Sequence, residues 1–196
     1  PCSSAASDVY KRQVVDAAMI DGTSMLMSLF YSFYGSGVWS NERESNLLDG
    51  AAHFYDTYEC KDGKYIAVAC IEDKFYKEML DKLEITDEKF SKQFSKDVWP
   101  ELKSKLGEKF LSKNRDEWAM IFQNSDACIT PILDLDEAPK HEHNKSRSTF
   151  IERDGVVQPN PSPRFSETPL EIKSSPKEIG EDNILISEKY NINLQN

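Results

Sequence analysis

Residues 55–80 read YDTYECKDGKYIAVACIEDKFYKEML and contain the clearest signals of fold in the chain. YDTYEC carries aromatic residues among polar ones, KDG is typical of a tight turn, and KYIAVACI is a β-branched run. This order predicts a β-hairpin. The apolar residues then recur at three- and four-residue steps, which predicts a helix over residues 73–83. A carboxylate, Glu72, lies where the strand becomes the helix.

Glu72 has two explanations at this position. An acid in a first helical turn is stabilised by the helix dipole, by a few tenths to about 1 kcal/mol. Carboxylates at the ends of strands that face a cleft also serve as partners of general bases. Spacing alone does not decide between the two roles.

Further elements are expected on both sides of this unit. Apolar residues from 14 to 36 predict one long helix that Gly35 and Gly37 end. The methionines 19, 25 and 27 fit a packed helix face, and methionine also suits a surface for varied acyl chains. The remaining predicted elements are helices over 97–111 and 114–123, a strand over 127–133, a turn over 134–140, a hairpin at 150–158, an extended strap over 159–169 and a weak terminal helix over 180–193. Asn114 ahead of Glu117 predicts a capping box for the helix over 114–123. A variable, charged region follows the helix over 73–83, and a polar loop is expected at 141–145.

Composition limits the classes of function. The chain has 196 residues and a net charge of −10, which argues against a nucleic-acid partner. Polar residues interrupt the apolar stretch 14–39, so we expect no membrane span, and no signal peptide is recognisable, so we expect a cytoplasmic protein. The four cysteines, at 2, 60, 70 and 128, favour buried reduced thiols over disulfides.

The first residues look foreign to the rest. SSAASDVYKRQ, residues 3–13, is polar, has no period, and back-translates into a transposase-type sequencing adaptor read in frame. We therefore expect residues 1–13 to be an artefactual prefix, with a genuine disordered N-terminus as the alternative.

Motifs for other chemistry are weak. His141 and His143 flank Glu142 without a third ligand cluster, so we expect no metal. The sequence contains neither a glycine-rich phosphate loop nor a Gly-x-Ser-x-Gly elbow.

Several stretches resemble a known family. QVVDAAMIDG (13–22), LLDGAAHFYDTYECKDGKYIAVACIEDKFY (47–76), NSDACITPILDLDEA (124–138), HNKSRSTF (143–150) and PSPRFSETP (161–169) resemble the C-terminal half of α-methylacyl-CoA racemases, within the family III CoA-transferase superfamily. The resemblance implies a small α+β domain of the family III fold, with a long N-terminal linking helix and an extended C-terminal tail. The expected parts are helix and linker at 14–53, small domain at 54–149, and return strap and tail at 150–196.

The resemblance also implies a reaction. In the family, two chains interlock as a homodimer, and the active site lies between the large domain of one and the small domain of the other. A histidine and an aspartate of the large domain exchange the α-proton of an acyl-CoA through an enolate. Both belong to the half that this chain lacks, so the chain should be catalytically incomplete.

Site residues follow from the same resemblance. Glu72 matches a glutamate that supports the histidine, while Met19, Asp21, Tyr55 and Ile71 match positions that line the acyl pocket. No cofactor is expected, since the substrate itself carries coenzyme A. The family usually has Gly-Gly-Ala-Pro where this chain has residues 50–53, so a histidine replaces a proline, and we expect His53 to loosen the loop without being catalytic.

Two rival functions stay open. A family III CoA-transferase would move CoA between carboxylic acids through an aspartyl anhydride, with its nucleophile also in the missing half. The other rival is a non-catalytic interaction module. If the racemase assignment holds, fatty acid metabolism is the expected setting.

Overall fold

A computed structural model describes residues 3–8 and 11–192 of the chain. Cys2 and the last residues of the predicted terminal helix lie outside this described part. The chain divides into two compact units, residues 1–132 and 133–196. This division falls at 132/133, whereas the sequence placed a boundary at 149/150; the predicted domain limits stay predictions.

The N-terminal segment is a hairpin rather than the start of a helix. Strand β1 (Ser3–Asp8) pairs antiparallel with β2 (Lys11–Asp16), and Ala6 lies opposite Gln13. The expectation of a helix from residue 14 is therefore wrong, because those residues are paired in a strand. Residues 3–8 and 11–13, for which no regular structure was predicted, belong to the same hairpin.

The predicted long helix is also interrupted. It consists of α1 (Met19–Leu26) and α2 (Ser28–Gly35), separated at Met27. The hydroxyl of Ser28 donates to the carbonyl of Met25 at 2.6 Å, and Thr23 and Ser24 donate to carbonyls four residues back. Hydroxyls that bond to the preceding turn compete with the helical ladder and bend helices.

The apolar face of α1 and α2 is exposed to solvent. Met19 is 89% exposed and Leu26 82%, so the packed face expected for the methionines is absent in this chain. Ile20, Met25, Leu29, Tyr31 and Tyr34 are also exposed. Contiguous apolar surface of this kind usually marks an interaction site.

The central sheet confirms the predicted hairpin. Strands β3 (Tyr55–Glu59) and β4 (Tyr65–Ala69) pair antiparallel, and β5 (Ile129–Pro131) pairs with the other edge of β4. Gly63, at φ +73°, occupies the left-handed conformation that the KDG turn requires. Ile66, Val68 and Cys70 point into the core, as the period of two demands.

Three helices complete the core of the first unit. They are α3 (Asp73–Lys82), α4 (Trp99–Phe110) and α5 (Arg115–Phe122), all close to their predicted limits. Asn114 and Glu117 form the predicted capping box at α5. A 3₁₀ helix over Glu88–Lys92 lies in the region for which the sequence predicted only variable, charged residues.

Aromatic packing joins the sheet to α4 and α5. Tyr58 of β3 stacks on Phe110 with ring centroids 5.2 Å apart, and Phe110 meets Trp118 edge-on at 5.4 Å. The indole nitrogen of Trp118 also donates to the carbonyl of Phe110 at 2.8 Å. The buried side chains of α3, Tyr76 and Met79, and of Leu83 at its C-terminal end belong to the same cluster.

The second unit has little buried apolar surface. It contains a 3₁₀ turn (Ala138–Lys140), helix α6 (Glu142–Ser146), a hairpin of β6 (Phe150–Arg153) and β7 (Val156–Pro159), and α7 (Asn183–Tyr190). The loop expected at 141–145 is thus a short helix, whereas the hairpin is confirmed. Residues 160–169 form neither helix nor strand, and the extended strap stays a prediction. Arg153 donates to Ser175 and to the carbonyls of Ile172 and Lys173, which fixes the tail to the hairpin.

Two observations concern the membrane span and the disulfides that were not expected from the sequence. None of the helices in the described part of the chain combines the length and apolarity that a bilayer crossing needs. Cys60 and Cys70 are free and buried as expected, but Cys128 is free and exposed.

The exposed face of α1 and α2 predicts uneven protection from hydrogen exchange. Because these helices contain no buried residue, their amides should exchange at least ~100-fold faster than those of β4 in the isolated chain. Hydrogen–deuterium exchange with mass spectrometry measures this. Equal protection of the 19–35 and 65–69 segments in a monomer would contradict it.

Candidate functional site

The candidate site is the junction where the chain leaves β4 and enters α3. The amide of Cys70 donates to the carbonyl of Phe54 at 2.9 Å, the last bond that continues the β3–β4 pairing. The amide of Ile71 then donates to the carbonyl of Ala69 at 3.1 Å, which closes a tight turn. Glu72 follows as the N-cap of α3, in extended conformation with φ −75° and ψ 140°.

The side chain of Glu72 is exposed and is not used as a helix cap. Its backbone carbonyl accepts from the amide of Tyr76 at 2.9 Å, but its carboxylate makes no capping hydrogen bond. The acid in the first turn of α3 is Asp73, which pairs with Lys77 at 2.6 Å. The helix therefore begins without a hydrogen bond from the carboxylate of Glu72, which is exposed to solvent.

Tyr55 and Ile71 lie at the same end of the β3–β4 pair. Tyr55 is directly opposite Ala69 in the register of β3 and β4, and both Tyr55 and Ile71 are half-buried. Three of the five predicted site residues thus come together at one junction. Their roles stay predictions.

Met19 and Asp21 lie elsewhere, on α1. Both are exposed, and no described hydrogen bond or ion pair joins their side chains to the junction. Beside α2 and the loop after it is an aromatic cleft of about 370 Å³, lined by Met27, Phe30, Tyr31, Tyr34, Trp39 and Asn41. The placement of Met19 and Asp21 in an acyl pocket also stays a prediction.

Sequence reasoning missed Gln93, which holds the junction. Its side-chain nitrogen donates to the carbonyls of Cys70 at 3.0 Å and Ile71 at 2.8 Å. Gln93 is 6% exposed, although it lies among lysines, serines and acids in the chain. The only sequence signal was one uncharged amide between Lys92 and Phe94 in a charged segment.

Two thiols lie near Glu72, and neither is activated. Burial raises the pKa of the Cys70 thiol to about 12. Burial, followed by the carboxylates of Glu72 and Asp126, also raises the pKa of the Cys128 thiol. Cysteine nucleophiles need a lowered pKa, so this arrangement does not provide one.

His53 is buried and does not loosen its loop. Its Nε2 lies 2.7 Å from the hydroxyl of Tyr76, which donates its own proton to the carbonyl of Phe90 at 3.0 Å. Nε2 must therefore carry the proton, leaving Nδ1 buried without a hydrogen-bond partner. Tyr58 also donates to the carbonyl of His53 at 2.5 Å. Burial lowers the pKa of His53 to about 4, so it is neutral at pH 7.

The site offers no evident metal set. Within residues 3–8 and 11–192, no three side chains of histidine, cysteine, aspartate or glutamate are grouped to hold an ion. His143 is an exposed residue of α6, and His141 precedes that helix.

Comparison with known proteins places this arrangement in a family. Residues 9–183 match the sequence profile of CoA-transferase family III. The chain belongs to CoA-transferase family III. Its fold agrees: a CaiB/BaiF family protein from Brucella suis superimposes with a TM-score of 0.66 at 22% identity, covering 89% of this chain and 47% of that one.

Two curated relatives of this family III chain carry the name α-methylacyl-CoA racemase. An α-methylacyl-CoA racemase of Mus musculus is 38% identical over 181 residues, 91% of this chain and 47% of the relative. The racemase of Homo sapiens is 40% identical over 160 residues, 81% of this chain and 42% of the relative. The chain therefore spans about half the length of the curated relatives it matches.

The buried histidine predicts a pH-dependent stability. The folded pKa of His53, about 4, lies below its unfolded value of 6.5. The unfolded chain therefore binds the proton first, and stability present above pH 6.5 is lost as the pH falls toward 4. Between pH 7.5 and 5 the loss from this group is ~2 kcal/mol.

Urea unfolding at both pH values measures this loss. In His53→Leu the loss should shrink by about that amount, while His143→Leu, at an exposed position, should keep the full dependence. An identical pH dependence in all three proteins would show that His53 is not the responsible group.

Proposed function

We propose that the chain is the C-terminal part of an α-methylacyl-CoA racemase-like enzyme that epimerises 2-methylacyl-CoA thioesters by exchanging the α-proton. The observation that carries the proposal is the carboxylate of Glu72, which is exposed beside Tyr55 and Ile71 and makes no capping hydrogen bond. The chain that presents it is 38–40% identical to such racemases. The first turn of α3 already has an acid, Asp73, which pairs with Lys77, so the dipole role does not require Glu72.

The chemistry gives the carboxylate a purpose. The α-proton of a thioester is weakly acidic, so its removal needs a base with a suitable pKa and a fixed tautomer. A carboxylate that accepts a hydrogen bond from one imidazole nitrogen fixes the other as the base and stabilises the imidazolium. In this proposal Glu72 is such a positioning residue for a histidine supplied by the other half of the enzyme.

The remaining groups belong to binding. Tyr55 and Ile71 would contact the acyl chain at the junction, and Met19 and Asp21 would do so from α1. The enolate oxygen needs donors, which we assign to the other half. Coenzyme A enters as part of the substrate, so no separate cofactor is proposed.

Assembly and setting follow from the same proposal. An interlocked homodimer would bring the junction of one chain to the large domain of its partner, and would cover the apolar faces of α1 and α2. We place the parent enzyme in the cytoplasm and in fatty acid metabolism.

A family III CoA-transferase is the second candidate, because the family profile itself is that of CoA-transferases. The two differ in the other half of the enzyme, where a racemase needs a histidine and aspartate pair and a transferase a nucleophilic aspartate. A non-catalytic interaction module is the third candidate; its distinguishing property would be a stable, monodisperse isolated chain.

The isolated 196-residue chain should not catalyse exchange. Because the acid and base lie outside it, incubation with 2-methylacyl-CoA in deuterated buffer should leave the α-position unlabelled by NMR. Measurable incorporation above the buffer rate would refute the assignment of the acid and base to the missing half.

Glu72→Gln separates catalysis from helix stability in the full-length parent. The amide keeps the shape and removes the charge, so the histidine loses its stabilising carboxylate. We expect kcat to fall roughly 10- to 1,000-fold with little change in CoA binding, while stability falls by less than about 1 kcal/mol.

Asp73→Asn is the matched control, since it removes the first-turn acid that pairs with Lys77. It should lower the melting temperature slightly and leave kcat near normal. Near-normal turnover of Glu72→Gln with a lowered melting temperature would return Glu72 to the role of a helix-starting acid.

A further inference from the structure

At the junction before Glu72, two backbone carbonyls need hydrogen-bond donors from outside the sheet. The chain leaves the sheet after Cys70, so the carbonyls of Cys70 and Ile71 lie beyond the regular pairing of β4, which ends at Ala69. Buried carbonyls without partners cost about 1–3 kcal/mol each. A segment in this position needs an outside donor if it is to adopt one conformation.

Gln93 supplies both bonds from one group. The side-chain NH₂ of Gln93 has two N–H donors, one for each carbonyl, and its Nε2 lies 3.0 Å and 2.8 Å from them. These carbonyls belong to the two peptide units immediately before Glu72. Fixing both peptide planes restricts the backbone from which the Glu72 side chain projects.

Gln93 is itself held from two sides. The indole nitrogen of Trp99, the first residue of α4, donates to the carbonyl of Gln93 at 2.7 Å. Three residues earlier, the carbonyl of Phe90 accepts from Tyr76 of α3 at 3.0 Å. The backbone of Gln93 is thus anchored to α4 through Trp99, and the segment before it to α3 through Tyr76.

We infer that Gln93 is a positioning residue for the Glu72 carboxylate. The inference rests on the proposed function, and it extends that function to a residue in the charged segment between α3 and α4. A displacement of a supporting group by about 1 Å can cost 10²-fold in rate, so loss of the two bonds should reduce turnover even though Gln93 need not touch the substrate.

A purely structural role makes a different prediction. A buried amide that only stabilises the fold would lower the melting temperature when removed, and would affect turnover no more than any other equally destabilising change. The test therefore needs a control that loses a buried hydrogen bond elsewhere. Trp118 provides it, because its indole donates to the carbonyl of Phe110 and to neither of the carbonyls that Gln93 bonds.

The kinetic test compares Gln93→Met with Trp118→Phe in the full-length parent. Methionine is of similar size and donates no hydrogen bond. For Gln93→Met we expect kcat to fall about 10-fold or more with KM nearly unchanged, and Trp118→Phe to keep kcat. Adding Gln93→Met to Glu72→Gln should cause no further loss, because a positioning residue has nothing left to position.

A second measurement does not depend on activity. Amide hydrogen exchange over residues 71–76 should rise at least 10-fold in Gln93→Met and stay unchanged in Trp118→Phe. If Gln93→Met does not fold, Gln93→Glu keeps the shape and, when ionised, removes both donors.

Failure of the inference and failure of the proposed function give different results. An active parent whose Gln93 variant has normal kcat, or shows additive loss with Glu72→Gln, overturns the inference alone. Unchanged amide exchange over residues 71–76 in Gln93→Met would show that Gln93 does not hold the junction, whatever the reaction is. A wild-type parent without α-proton exchange overturns the proposed function and the catalytic part of the inference together.

Discussion

The pairing of β4 on both of its edges is the constraint on which the first unit depends. Its alternation directs Ile66, Val68 and Cys70 into the core, where the helices cover them. The same pairing sets where the chain must leave the sheet, and so where α3 can begin. Glu72 is placed at that point by the register of the strands, since a one-residue shift would turn the core-facing side chains to the other face.

The fold could be predicted where local chemistry was sufficient. The KDG turn, the β-branched run and the capping box at Asn114 are signals carried by neighbouring residues, and each gave the correct element. The helix over 14–36 failed for a different reason. Its start is decided by pairing with residues 3–8, and its interruption at Met27 by hydroxyls bonding to the preceding turn.

The candidate site was only partly predictable. Glu72, Tyr55 and Ile71 lie on the hairpin and its exit, so their proximity follows from strand register. Gln93 comes from a segment about 20 residues later, and its bonds are to backbone carbonyls, which no pattern of side chains reports. His53 was expected to loosen a loop. Its burial depends on residues separated from it in the chain. Tyr76 bonds to its ring and to the carbonyl of Phe90, and Tyr58 donates to its backbone carbonyl.

The short strand β5 limits how the sheet can grow. Thr130 lies opposite Ala67 and directs its backbone groups to β4, so Ile129 and Pro131 face the outer edge. Proline has no N–H, which leaves Ile129 as the one residue of β5 able to offer an N–H there. An additional strand would find almost no donors along this edge. Assembly on that side of the sheet is therefore directed toward contacts between side chains, and the β5 edge is a poor template for the edge-to-edge association that leads to aggregation.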